Sequence, residues 1–92
     1  MFEISDDVER KLERKHDVEF QEIIECFINH TGHYLRDTRE AHQTTPPTEW
    51  FIAETNEGRR LKVVFIEEDG TFIIKTAYEP DANEERIYAE HA

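Results

Sequence analysis

Three β-rich runs dominate the hydropathy pattern of the chain. They are Thr-Glu-Trp-Phe-Ile-Ala-Glu-Thr, Arg-Leu-Lys-Val-Val-Phe-Ile-Glu and Thr-Phe-Ile-Ile-Lys-Thr-Ala-Tyr, which follow one another between residues 48 and 78. Only Asn-Glu-Gly-Arg and Glu-Asp-Gly separate them, and short Gly-containing turns between such runs predict an antiparallel meander. Alternation sets Trp50 and Ile52 on one face against Phe51 and Ala53 on the other, and Val63 and Phe65 against Val64 and Ile66. Both faces are therefore apolar near the middle. Helices packed on one side need only one such face, so the second is expected to lie under part of a loop or under another protein.

Helical patterns flank the strands. Ser5 or Asp6 can cap a first helix with Asp6, Asp7 and Glu9 in its opening turn and Ile4, Val8 and Leu12 as a narrow apolar stripe. Arg10, Lys11, Arg14 and Lys15 fall late in that helix, where its dipole favours cations. Asp17 is positioned to cap a second helix with Phe20, Ile23, Ile24, Phe27 and Ile28 on its apolar face, and Gly32 to mark its end. His-Tyr-Leu-Arg at 33 to 36 reads as a short edge strand, and a long loop follows as far as the Pro46-Pro47 pair. Pro80 stops the last strand, and Asp81 or Asn83 begins a terminal helix. The fold class expected is α+β in a single domain spanning residues 1–92, with two N-terminal helices, a three- or four-stranded antiparallel meander and a C-terminal helix.

Composition narrows the function classes. With 92 residues, 37% of them apolar, the chain holds one small core. The formal net charge of −11 opposes free-standing binding of nucleic acid, because the overall field repels a polyanion. The acid is uneven: residues 17 to 25 carry four acids and no base, 67 to 69 carry three acids, and 79 to 90 carry five against Arg86. Between residues 36 and 62 five acids are balanced by Arg36, Arg39, Arg59, Arg60 and Lys62, which allows a local basic patch. No apolar run is long enough to cross a bilayer and the first residues lack a signal-peptide pattern, so a cytoplasmic location is expected. Cys26 stands alone and reads as a small half-buried helix residue.

Candidate chemistry is sparse. No Gly-rich phosphate loop, nucleophile elbow or His-Glu-x-x-His motif is present. The five histidines lack metal-ligand spacing, so neither a metal nor another cofactor is expected. The suggestive set is Lys15 and His16 at a helix end, Asp37, Arg39 and His42 in the long loop, and Lys75 and Tyr78 on the last strand. Cleavage of RNA by its own 2′-hydroxyl requires a base, an acid and cationic groups around the phosphate, which such side chains supply without metal. Each also has a structural reading: Lys15 and His16 can end a helix, Asp37 and Arg39 can form a loop-fixing ion pair, Lys75 can be a solvated strand residue, and Tyr78 can pack its ring.

The order of elements resembles that of the RelE-like bacterial toxins and, more narrowly, the chain resembles the BrnT toxin family. The resemblance rests on Arg-Lys-His-Asp-Val-Glu-Phe at 14 to 20, Asp-Thr-Arg at 37 to 39, Trp-Phe-Ile-Ala at 50 to 53, Gly-Arg-Arg-Leu-Lys-Val-Val-Phe at 58 to 65, and Glu84 with Tyr88. It implies a metal-independent ribonuclease held by an antitoxin whose own DNA-binding part regulates the operon. The chain itself is then not expected to bind DNA. Lys15, His16, Asp37, Arg39 and Arg59 are the positions that it implies matter. Two departures weaken the implied activity: Tyr78 stands where the family carries an arginine, and the terminal helix is acidic where the family's is basic. The chain is also similar to short bacterial proteins labelled ADP-ribosyl-(dinitrogen reductase) hydrolase, although it lacks the scattered aspartates and large helical body of true ADP-ribosyl-glycohydrolases. The alternative expectation is a non-catalytic acidic interaction module, of inhibitor or immunity type, that binds a basic protein. An apolar second sheet face would also permit a homodimer.

Overall fold

The computed structural model describes residues 1–38 and 45–91. The elements run β1 (Phe2–Glu3), α1 (Asp6–Lys11), α2 (Phe20–Asn29), β2 (Leu35–Arg36), β3 (Thr48–Glu54), β4 (Arg60–Glu68), β5 (Thr71–Tyr78) and α3 (Ala82–His91). This is an α+β architecture. One five-stranded sheet has the order β1-β5-β4-β3-β2, with β1 parallel to β5 and the remaining pairs antiparallel. The sheet is thus wider than the three or four strands expected. Its extra strand is β1, which pairs Phe2 with Phe72 across nearly the whole chain.

Local chemistry explains most of the boundaries. The Ser5 hydroxyl accepts from the Val8 N–H at 3.2 Å and caps α1. Beyond Lys11 the helix widens to i→i+5 spacing over Leu12–His16, a rare form found often at functional sites. Asp17 does not cap α2; it adopts a left-handed φ of 52° and closes the first helix, while Val18 N–H donates back to Leu12 O at 3.1 Å. Glu19 and Glu22 form the capping box of α2 instead. That helix ends at Asn29, before Gly32. The Asp69-Gly70 turn has φ of 52° and 81°, a pair of left-handed residues that matches the twist of the β4–β5 hairpin.

The core lies between the sheet and α1 and α2. The Phe27 ring sits 4.8 Å from Phe2, 4.7 Å from Phe51, 5.3 Å from Phe65 and 5.0 Å from Phe72. Phe51, Leu61, Val63, Phe65 and Ala77 are fully buried on this face. In the β4–β5 register Val64 faces Thr76 and Phe65 faces Ile74, which leaves Lys75 as the extra residue of a β-bulge. The bulge changes the alternation, so that Ile74 and Ala77 both join the core.

Helices cover both faces of the sheet, which corrects the expectation that they cover one. The second face, carrying Trp50, Ile52, Lys62 and Tyr78, lies under α3, with Tyr88 of that helix 5.7 Å from the Trp50 ring. Among the described residues the exposed large apolar side chains are Met1 and Ile28. No described helix is long and apolar enough to cross a membrane.

Candidate functional site

Strand β4 begins with Arg60 and Lys62 on the face that α3 covers, and carboxylates of α3 meet both. Asp81 and Glu84 form the N-terminal capping box of the helix, with Glu84 N–H donating to Asp81 Oδ1 at 2.8 Å and Asp81 N–H to Glu84 Oε1 at 3.0 Å. This box aims the second oxygen of Glu84 into the sheet. There it accepts from Lys62 Nζ and from the Tyr78 hydroxyl, each at 2.7 Å. Lys62 Nζ also stands 4.5 Å from the centre of the Trp50 ring and 5.7 Å from that of Tyr78. At the next residue of α3, Glu85 makes a two-pronged contact with Arg60, at 2.7 Å on both sides.

The electrostatics follow from these contacts. Burial alone would raise the Glu84 carboxyl, but Lys62, Tyr78 and the Asp81 N–H together hold it below the ordinary carboxylate range. Arg60 does the same for Glu85. Burial and the bond to Glu84 push the Tyr78 phenol up, so it remains a proton donor at neutral pH. Beside α3 opens a cleft of about 740 Å³, lined by Leu35, Arg36, Asp37, Trp50, Lys62 and Ile87 among others.

A second cluster lies where the first helix ends against the edge of β5. The His16 ring is half-buried and 5.6 Å from the Tyr78 ring. Arg59 ties this corner together. Its guanidinium donates to His16 O at 2.9 Å, Asp17 O at 2.6 Å, both Glu22 oxygens at 3.2 Å and Glu79 Oε2 at 2.9 Å. All three nitrogens are engaged, so Arg59 serves the fold rather than presenting a free fork to a phosphate. Its turn is built for this position. Thr55 Oγ1 accepts from the Arg59 N–H at 3.1 Å, and Gly58, at φ 86°, supplies the left-handed residue before it.

Of the residues singled out from sequence, the structure brings His16, Arg59 and Tyr78 together. Lys15 is exposed at the helix end, and Lys75 is exposed at the bulge. Asp37 stands at the cleft instead, its N–H donating to Thr48 O at 2.8 Å. Arg39 and His42 lie outside the described residues. Sequence reasoning passed over Lys62 and Trp50 as site residues and took Glu84 only as part of a motif. The available signal was a cation set inside the apolar run Leu-Lys-Val-Val, with an acid at the third position of the terminal helix. Among the described residues no group of three or more His, Cys, Asp or Glu side chains is arranged to hold a metal ion.

A scan against protein-family models finds no match to this chain, and a search of curated proteins finds none.

Proposed function

We propose that this chain is a toxin-type protein of RelE/BrnT-like architecture, held by an antitoxin, that cleaves RNA without a metal and with low turnover. The observation that carries the reading is the placement of His16. Two helices pack on one face of the antiparallel β3–β4–β5 unit, and the imidazole at the end of the first is set against Tyr78 at the sheet edge. In the reaction His16 takes the proton of a ribose 2′-hydroxyl. The 2′-oxygen attacks the adjacent phosphorus, the bond to the 5′-oxygen breaks as that oxygen takes the proton held by His16, and a 2′,3′-cyclic phosphate and a free 5′-hydroxyl result with the imidazole restored. Low turnover follows from the engagement of Arg59 by carboxylates and carbonyls, which removes one cation from phosphate stabilisation.

The test is incubation of the purified protein with total RNA in the presence of a chelator, comparing wild type with His16→Ala and Arg39→Ala. Fragments ending in cyclic phosphate from wild type, and their loss in both variants, fit the reading. Intact RNA with folded wild-type protein rejects it. A second reading, an acidic module that binds a basic protein, is favoured by one observation: Arg59, Arg60 and Lys62 each pair with a carboxylate of the same chain. Under that reading RNA stays intact and a cationic protein partner binds.

A further inference from the structure

The segment after β5 matches, charge for charge, the face that it covers. Glu84 meets Lys62 and Glu85 meets Arg60. Between and beside these cations stand two aromatic rings, Trp50 and Tyr78, with Lys62 Nζ over both. Cations alternating with rings on a flat sheet face are the elements by which proteins hold single-stranded nucleic acid: the cations track phosphates and the rings stack bases. In this chain a carboxylate occupies each cationic position.

We propose that the sheet face formed by Arg60, Lys62, Trp50 and Tyr78 is a binding surface for single-stranded RNA, and that α3 occupies it as an acidic cover which RNA must displace. The inference rests on the ribonuclease reading, and extends it by naming where the strand lies and why a chain of charge −11 does not bind it freely. Attachment of the cover is mainly polar. Tyr88 is the one buried residue of α3, and ten residues do not hold a helix unaided. The cleft beside α3 already opens onto Trp50 and Lys62 and gives a strand a point of entry. Displacing the helix frees the Tyr78 hydroxyl from Glu84, next to the His16 ring. Exposure of the surface and assembly of the reactive corner are thus one event.

The test uses the full chain and a short fluorescein-labelled 2′-O-methyl RNA oligonucleotide. Lacking a free 2′-hydroxyl, this probe cannot be cleaved, so binding is read independently of catalysis. In Glu84→Gln/Glu85→Gln the capping box survives, because glutamine serves at that position as well as glutamate, while both ion pairs lose their charge. The variant is expected to bind about tenfold tighter than wild type, with a salt dependence steeper by about 1.4 in log–log slope for two freed cations. Fluorescence of Trp50, the one tryptophan in the chain, should be quenched on binding. Adding Arg60→Gln/Lys62→Gln should abolish the gain. The charge-matched control Glu13→Gln/Glu57→Gln, on exposed residues away from α3, should bind as wild type does.

A folded Glu84→Gln/Glu85→Gln protein that binds no better than the control overturns the proposal. So does a gain that survives loss of Arg60 and Lys62, or one without a Trp50 response. Should the double variant fail to fold, Glu85→Gln alone, at the solvent-facing rim, must show a smaller gain of about threefold; no gain overturns the proposal. Cleavage without improved binding would reject the cover and leave the ribonuclease reading standing. Improved binding without cleavage would do the reverse.

Discussion

Replacing Arg59 with alanine separates a structural from a catalytic role for that residue. The substitution removes the donor to two backbone carbonyls, His16 O and Asp17 O, and to both oxygens of Glu22. Arg59 and Glu22 are each 24% exposed at the side chain, whereas Glu79 is 66% exposed, so the Glu79 contact counts for little. About 1 kcal/mol for each carbonyl and about 1 kcal/mol for Glu22 gives a loss of about 3 kcal/mol. At roughly 4–8 °C per kcal/mol for a domain of this size, the melting temperature should fall by about 12–24 °C. Lysine at the same position keeps the charge without the planar fork, and should recover less than half of the loss. Thermal and urea denaturation followed by circular dichroism measure both variants. Arg59→Ala melting within about 4 °C of wild type would exclude the structural role, and would leave the guanidinium free to meet a phosphate.

Three further outcomes are expected. Lys62→Met keeps the packing on Trp50 but strands the Glu84 carboxylate, and should cost about 2 kcal/mol by urea denaturation, most of it relieved when Glu84→Gln is added; a loss that the second substitution leaves unchanged would exclude coupling between the pair. Glu84 and Glu85 have lowered carboxyl pKa values, so their stabilisation is complete above the ordinary carboxylate range and disappears as pH falls through the lowered values. Glu49, raised by burial and by Glu67, acts in the opposite sense. Denaturation curves from pH 7 to pH 3 should therefore show a shallower acid-side loss in Glu84→Gln/Glu85→Gln than in wild type, and an identical slope would contradict these directions. Cys26 is buried, and its thiol is pushed up to about 12 by burial and by Glu22 and Glu25, so a disulfide reagent at pH 8 should label it only on unfolding. Prompt labelling of native protein would count against that burial.

The three β-runs, both Gly turns, the Ser5 cap and the edge strand before the long loop were legible because each is fixed by neighbours a few residues away. What escaped was set at long range. Strand β1 is only Phe2–Glu3 and exists because β5 offers a free edge, which no local period reveals. The bulge at Lys75 breaks the alternation on which assignment to faces depends. Placement of α3 on the second face escaped because that helix attaches by Glu84, Glu85 and the Tyr88 hydroxyl, which reaches His33 O at 3.0 Å, instead of by an apolar stripe. Arg59 read as a catalytic cation since its partners, the carbonyls of residues 16 and 17, lie more than forty positions earlier. Among the described residues, His16 joins candidates from distant parts of the chain, meeting Tyr78 ring to ring and taking the Arg59 guanidinium on its carbonyl.

The most direct measurement is induced expression in a bacterial host, following growth and total RNA integrity for wild type and His16→Ala at equal levels of folded protein. Growth arrest with RNA loss is expected for wild type, and relief of both by the substitution. Normal growth with intact RNA while folded wild-type protein accumulates would contradict the ribonuclease reading.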